Sequence, residues 1–234
     1  MSVRRGVPVK TFYRVALSAL GLMFASRSAS AAVIDDLSEV DRLRLAMGTS
    51  IVRTQDIPGS SWPAVSVYQL VRATPEVAMA DFTDYNLQST YLKECCGLLT
   101  STVVDSAVGG DRRVQRVLYE IEVPVVSNER YELREEMSRE GRSYRVVWGK
   151  VSEGGRSESI FGRAMFEPYN GKTLFYYYNF TKITTMGAGI FSGESVKRTQ
   201  RTVVAMAKHM EQQATSGGGR LRENLARVRA ALGQ

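Results

Sequence analysis

Four acidic side chains in the middle of the chain are the residues best suited to acid–base chemistry. They are Asp105, Glu120, Glu122 and Glu135. Two carboxyl groups held over one substrate can act as general acid and general base. Carboxylates on β-strands are usually solvated, however, so the favoured interpretation assigns no catalytic residue and the acid–base pair is the alternative.

Nucleophilic catalysis and metal binding have few suitable residues. His209 is the only histidine, so a Ser/His/Asp set can be built only around it. "GIFSGES", residues 189–195, resembles a nucleophile elbow but lacks the strand that must precede one. No Gly-rich phosphate loop and no Cys/His spacing typical of zinc occurs. We therefore expect no metal and no cofactor, and we favour a binding protein over an enzyme.

The two cysteines, Cys95 and Cys96, are neighbours in the chain. Adjacent cysteines can bridge only through a small strained ring, so the favoured interpretation is a pair of small buried apolar residues. A disulfide within this pair, or between two chains, is the alternative, because exported proteins meet oxidising conditions.

The N-terminus has the pattern of a signal peptide, predicted to comprise residues 1–31. A basic segment precedes the apolar run "VALSALGLMF", residues 15–24, which is too short to span a bilayer comfortably. "ASA" then ends at Ala31, where we expect cleavage, with Ala32 as the neighbouring alternative. The protein is then exported, to the periplasm of a Gram-negative bacterium. An uncleaved membrane anchor is the rival interpretation, because Arg27 lies close to the cut.

The net charge of +7 is concentrated at the two ends of the chain. Residues 1–31 contain five basic side chains and no acidic one, and residues 220–234 contain four arginines and one glutamate. The body between them has a net charge of about −1. Nucleic-acid binding thereby loses its main support, and we expect no nucleic-acid partner.

Residues 32–63 are predicted to be an N-terminal arm that ends in the turn-rich "DIPGSSWP". The strand-like "AVSVYQLV", residues 64–71, follows it. Thr74 and Pro75 then mark the N-cap and first position of a helix. A second short helical segment is expected at residues 89–94.

Six further strands are predicted between residues 97 and 185 from period-2 alternation and turn signals. In "ERYELREEM", for example, Tyr131 and Leu133 share one face, while Glu132 and Arg134 share the other. Short turns connect the strands, so an antiparallel meander is expected. With residues 64–71 it makes a sheet of about seven strands.

After the last strand the hydrophobic period becomes helical. Val196, Val203, Ala207 and Met210 form one stripe of a helix of about seven turns. This helix needs a large apolar partner, and the sheet is the one candidate. The body, residues 64–213, is therefore predicted to be α+β.

Residues 214–234 are predicted to be a Gly-rich linker followed by a basic amphipathic tail. Leu221, Leu225 and Val228 recur at helical spacing with arginines between them. Such a segment can contact an anionic membrane surface through residues 220–232. It can equally pack on its own domain, and both interpretations stay open.

The order of these elements resembles the START-like (SRPBCC) superfamily, which includes lipid-transfer, polyketide cyclase-like and coenzyme Q-binding proteins. "VPVVSNERYELRE" adds a local similarity, with Pro124, Arg130 and Tyr131 where strands of the family carry proline, arginine and an aromatic residue. The resemblance covers the body. It implies a helix-grip fold, in which a curved antiparallel sheet wraps around the C-terminal helix and leaves an apolar cavity.

Large aromatic side chains on the predicted strands suit such a cavity, because tyrosine and tryptophan combine apolar area with a hydrogen-bonding group. Each of them can also fill an ordinary core. Arg130 and Glu135 are the expected polar residues, although alternation places Arg130 opposite Tyr131. The predicted ligand-binding residues are Tyr119, Arg130, Tyr131, Glu135, Tyr144, Trp148, Phe166, Tyr176, Tyr178 and Met206.

The leading functional hypothesis is an exported, non-catalytic carrier of a hydrophobic small molecule such as a lipid, sterol, quinone or polyketide. One alternative is a cyclase- or aromatase-like enzyme, since the same fold hosts such chemistry. Another is an envelope interaction protein that acts through its basic tail.

Overall fold

The structure is a computed structural model that describes residues 32–109, 112–122, 128–183 and 188–233. The predicted signal peptide lies outside these ranges, and so does Pro124 of the family-like stretch.

Within the described residues, eight antiparallel strands form one open sheet in the order β1-β2-β8-β7-β6-β5-β4-β3. The strands are β1 (Ile51–Gln55), β2 (Ala64–Val71), β3 (Leu98–Gly109), β4 (Arg112–Ile121), β5 (Glu129–Glu140), β6 (Ser143–Lys150), β7 (Ser157–Tyr169) and β8 (Lys172–Ile183). The last six are the predicted meander. The strand that the sequence did not reveal is β1, which lies in the predicted arm and pairs with β2.

The sheet is curved and unclosed. Two register shifts interrupt the pairing of β3 with β4, one between Leu98 and Thr100 and one between Val103 and Asp105. Such bulges bend a strand and increase its local twist. The bending allows the sheet to present a hollow inner face to the helices.

Three helices cover the inner face. They are α2 (Pro75–Phe82), α3 (Tyr85–Cys96) and α4 (Ser192–Ser216), and they follow α1 (Glu39–Ala46) in the chain. The Thr74 side chain accepts a hydrogen bond from the Val77 amide, which confirms the predicted N-cap of α2. Along α4, Val203, Met206 and Met210 are buried in the main core. The predicted long C-terminal helix against the sheet is thus confirmed, and the chain is α+β.

The N-terminal segment packs on the outer face of the sheet. A 3₁₀ helix at Val33–Asp36 and helix α1 supply buried side chains, among them Ile34 and Leu45. These pack in a second apolar cluster that includes Tyr68 of β2 and Tyr176 of β8. The outer face of these two neighbouring strands is therefore covered by protein.

The C-terminal segment forms helix α5 (Gly219–Ala231). Gly217, in the left-handed conformation with φ of 58°, ends α4 before it. Leu221 and Val228 are buried in the main core. The apolar residues of this basic tail thus pack on its own domain, while its arginines stay at the surface.

None of the helices in the described ranges is long and apolar enough to cross a membrane.

Candidate ligand-binding cavity

A cavity of about 630 Å³ lies between the inner face of the sheet and helices α3 and α4. Ligand pockets commonly have volumes of roughly 300–1,000 Å³, so a small molecule fits. Strands β2 to β8 contribute most of one wall, and Leu92 of α3 and Met206 of α4 contribute to the other. Apolar side chains dominate the wall, including Val65, Leu98, Leu133, Trp148 and Ile160.

Strand alternation explains which side chains reach the cavity. On β5, Tyr131, Leu133 and Glu135 point inward and line it. On the paired strand β4, Tyr119 and Ile121 do the same. Each strand therefore contributes every second residue, and the predicted inward parity of Tyr131 and Leu133 is the observed one.

Glu135 is the most deeply buried acidic residue of the cavity wall, with 2% of its surface exposed. Its Oε2 accepts a hydrogen bond from Tyr85 Oη at 2.5 Å, and its Oε1 accepts one from Tyr119 Oη at 2.7 Å. Burial raises the pKa of Glu135 to about 7, although the two hydrogen bonds act in the opposite direction. The carboxyl group is thus held at a pKa where it exists in both charge states near neutral pH.

Other polar groups of the wall are bonded to one another. Trp148 Nε1 donates a hydrogen bond to Asn179 Oδ1 at 3.2 Å. The Glu129 carboxylate accepts from the Ser157 amide at 2.9 Å and from the Ser157 hydroxyl at 3.1 Å. These bonds compensate the burial of these four polar side chains beside an apolar space.

Arg198 of α4 connects three parts of the cavity wall. Its guanidinium donates to the carbonyl oxygen of Cys96 at 2.6 Å and to that of Glu122 at 2.9 Å. These carbonyls belong to the end of α3 and the residue after β4. Burial lowers the pKa of Arg198, and nearby acidic groups act against that change. The side chain therefore holds the long helix to the sheet at one border of the cavity.

Half of the predicted ligand-binding residues line the cavity. These are Tyr119, Tyr131, Glu135, Trp148 and Met206. Their shared feature is a position on the inner face of the sheet or on the buried stripe of α4.

The other predicted residues lie elsewhere. The Arg130 side chain is 65% exposed, and its Nε lies 3.7 Å from Glu120 Oε2 on the outer face. Tyr144 and Phe166 are packed within the core beyond the cavity wall. Tyr176 and Tyr178 point outward from β8, because Tyr177 between them points inward. Strand alternation thus turns three of these five residues away from the cavity, and packing within the core keeps the other two out of it.

Sequence reasoning missed several residues of the site. Tyr177 and Asn179 line the cavity from β8, and Arg198 lines it from α4. Alternation within "FYYYNF" would have placed Tyr177 and Asn179 on one face, but three consecutive tyrosines leave the choice of face open. Tyr85 was missed because its contact with Glu135 joins residues far apart in sequence, and no local pattern reports it.

Cys95 and Cys96 are joined by a disulfide in the structure, at the end of α3. The favoured interpretation as two separate thiols is therefore wrong, and the vicinal bridge that was the alternative is the one found. Both cysteines line the cavity.

His209 lies in the helix layer and does not line the cavity. Its Nδ1 is 2.9 Å from Asp81 Oδ2, and its ring stacks on Tyr91 with centroids 4.1 Å apart. In the described part of the chain, no group of three or more histidine, cysteine or acidic side chains is arranged to hold a metal ion. The single histidine thus belongs to a packed polar cluster between helices.

An open antiparallel sheet that packs around a long C-terminal helix and encloses a cavity is the architecture of START-like ligand-binding proteins. Solved structures agree. The STAR-related lipid transfer protein of Xanthomonas axonopodis matches 69% of this chain and 93% of its own, with a TM-score of 0.60 and 13% identity. Human StAR-related lipid transfer protein 5 matches 70% of this chain and 83% of its own, with a TM-score of 0.56 and 11% identity.

Human STARD10 matches 80% of this chain and 85% of its own, with a TM-score of 0.52 and 9% identity. No family model matches the sequence, and no curated protein matches it. Identities this low show a shared fold and nothing finer. The chain therefore has the START-like fold that its sequence pattern indicated.

Proposed function

We propose that this protein binds or carries a hydrophobic small molecule in the cavity between its sheet and helix α4. The cavity itself carries the proposal, since it has the volume of a ligand pocket and a mainly apolar wall with a few fixed polar groups. The START-like neighbours support it, because two of them are described as lipid transfer proteins. A lipid, sterol, quinone or polyketide would suit this wall.

Native mass spectrometry of the purified protein tests the proposal directly. We expect a bound species that organic solvent extracts, and saturable binding of the apolar fluorescent probe N-phenyl-1-naphthylamine. Ile121→Trp should reduce probe binding, because the larger side chain fills the cavity from β4.

Leu118→Trp is the matched control. Leu118 lies on the same strand with the opposite parity, so the added indole points away from the cavity. Equal probe binding by both variants, with no saturable site in the unaltered protein, would refute the proposal. Circular dichroism checks that each variant is folded.

A second candidate function is acid–base catalysis of the cyclase or aromatase kind. One observation favours it, namely that burial raises the pKa of Glu135 to about 7 within the cavity wall. Both carboxylate oxygens already accept hydrogen bonds from Tyr85 and Tyr119, however, which makes binding the better-supported role. Mass spectra of small molecules extracted from the unaltered protein and from Glu135→Gln separate the two: a carrier yields the same species, whereas an enzyme yields different ones.

We further propose that the protein acts after export to the periplasm. The basic segment, the apolar run at residues 15–24 and the small residues before Ala32 support this. Expression of the full chain in a Gram-negative host, with mass analysis of the N-terminal peptide in each cell fraction, tests it. Full-length protein in the cytoplasmic fraction, with none in the periplasm, would contradict export.

A further inference from the structure

Two tyrosine hydroxyls of the cavity wall differ from its other polar groups in their hydrogen bonding. Each carboxylate oxygen of Glu135 accepts a hydrogen bond, one from Tyr85 and one from Tyr119, and the Trp148 indole is bonded to Asn179. Those hydrogen bonds form within the protein and do not require a ligand.

Tyr131 of β5 and Tyr177 of β8 both line the cavity and are half-buried. Among the described residues, neither hydroxyl makes a hydrogen bond. Neither oxygen is among the buried side-chain atoms without a partner, so each hydroxyl is accessible from the cavity and can donate to a molecule that enters it. Their natural complement is an oxygen atom of a ligand.

The rings of these two tyrosines are fixed by packing. Tyr131 stacks on Tyr119 with centroids 5.7 Å apart, and Tyr177 packs on Trp148 with centroids 5.1 Å apart. The two side chains lie near enough for the charge of an ionised Tyr131 to be among the causes, after burial, that raise the pKa of Tyr177. Packing thus holds both donors on the same cavity wall.

The hydroxyls act as donors near neutral pH. Burial raises the pKa of both Tyr131 and Tyr177 above the usual tyrosine value, so both stay protonated. A neutral phenol has one O–H to donate.

Charges of both signs line the cavity, including Glu129 and Glu135 together with Arg156, Arg198 and Arg201, so the wall does not select one sign of ligand charge and a neutral ligand suits it. Glu135 influences both tyrosines and would repel an anion when ionised. A ligand cation would find both Glu135 oxygens already engaged. Two donor nitrogens of Arg198, Nε and Nη2, already serve carbonyl oxygens of the protein.

We propose, on the basis of the proposed function, that the ligand is a neutral lipophilic molecule with a carbonyl-type oxygen, which accepts hydrogen bonds from Tyr131 and Tyr177. Ketones and quinones belong to this class. The apolar remainder of the molecule lies against the aliphatic and aromatic wall. The tyrosine pair then sets which end of the ligand enters this part of the cavity.

Two nearly isosteric probes test the inference. 2-Acetonaphthone carries a ketone oxygen, and 2-ethylnaphthalene lacks it. Their absolute affinities are not compared, because the hydrocarbon gains more from leaving water. The informative quantity is the change in each Kd when a tyrosine loses its hydroxyl.

Tyr131→Phe and Tyr177→Phe should each weaken 2-acetonaphthone binding by about 3- to 10-fold. Binding of 2-ethylnaphthalene should stay within about twofold, because the ring that remains preserves the wall. Tyr178→Phe is the matched control: it neighbours Tyr177 on the same strand, points outward, and should leave both affinities unchanged. Calorimetric titration of the purified protein gives all the values.

The outcomes separate this inference from the proposed function. Equal weakening of both probes, or no weakening of either, would overturn the inference while the cavity remains a binding site. Tighter binding of 2-naphthoate than of 2-acetonaphthone by the unaltered protein would overturn it too, since the wall would then favour an anion. If no naphthalene probe bound at all, the proposed function would fail together with the inference.

Discussion

Tyr85 Oη lies 2.5 Å from Glu135 Oε2, so a hydroxyl of helix α3 donates to a carboxylate of strand β5 across the core. Tyr85 and Glu135 are separated by 50 positions in the chain. The bond therefore ties the helix layer to the sheet at the cavity wall.

Tyr85→Phe should destabilise the protein by about 1–3 kcal/mol, because it leaves the buried carboxylate with one donor fewer. Tyr91→Phe is the matched control. Tyr91 lies on the same helix and its buried hydroxyl has no hydrogen-bond partner among the described residues. We expect that variant to be neutral or stabilising in urea unfolding. An equal loss of stability in both variants would show that Glu135 is not the cause.

Glu135 should make stability depend on pH. The folded pKa of about 7 lies above the usual 4.5. Between these values the folded protein holds a proton that the unfolded chain has released, so stability falls as pH rises through this window and levels off above it. The difference corresponds to about 3 kcal/mol.

Glu135→Gln removes this titration. We compare the free energy of unfolding of the unaltered protein with that of this variant. The difference should fall by up to about 3 kcal/mol between about pH 5 and about pH 8. Glu140→Gln, at the exposed end of the same strand, is the control. Parallel pH profiles for the unaltered protein and Glu135→Gln would contradict the assignment.

Local patterns predicted the fold because its main elements repeat regularly. The meander alternates with period two, and the buried stripe of α4 is helical, so both could be read without tertiary information. Strand β1 has no such signal, because Ile51 is its only fully buried residue. Its position at the edge of the sheet comes from pairing with β2, which the sequence does not encode locally.

The residues of the site could be predicted only on strands where the alternation of apolar and charged residues showed which side chains point inward. Tyr131 and Glu135 share the inward face of β5, and the alternation of apolar and charged residues there revealed that face. On β8 the outward-pointing Tyr176 and Tyr178 are covered, Tyr176 by the N-terminal segment and both by Arg163, whose guanidinium carbon lies 5.4 Å and 5.7 Å from their ring centroids. Because both faces of β8 carry aromatic residues, the sequence does not show which face of the strand points inward.

Gly162 of β7 makes room for Trp148 in the cavity wall. A Cβ atom at Gly162 would collide with the backbone carbonyl oxygen of Tyr178 on β8 and would lie 2.5 Å from the Trp148 indole. Gly162→Ala should therefore displace both the indole and the neighbouring strand, and destabilise the protein by about 1–3 kcal/mol. Gly149→Ala, on the neighbouring strand, meets no atom within 4 Å and should be tolerated. Urea unfolding and tryptophan emission report the two effects, and equal behaviour of both variants would contradict this role.

The Cys95–Cys96 bridge predicts that the oxidised protein has no reactive thiol, since the chain has only two cysteines. Iodoacetamide should leave its mass unchanged under denaturing conditions without reductant. After reduction, two alkyl groups should add. Cys95→Ser provides the control, because the remaining Cys96 should react without reductant. Two additions to the untreated protein would show free thiols.

Arg198 should control how firmly α4 is held at the border of the cavity. Arg198→Met keeps much of the apolar stem but removes the donors to the Cys96 and Glu122 carbonyls. We expect a loss of about 1–3 kcal/mol in stability, together with faster hydrogen exchange at Gly97 and Glu122, where the Glu122 amide donates to the Gly97 carbonyl at 2.7 Å.

Arg201→Met is the matched control for this variant. Arg201 lies on the same helix and forms an exposed ion pair with Glu194, and exposed pairs of this kind contribute roughly 0–1 kcal/mol. Hydrogen exchange at Gly97 and Glu122 should therefore stay at its original rate in this variant. If the two substitutions accelerated exchange equally, general loosening of α4 and not the carbonyl contacts of Arg198 would explain the result.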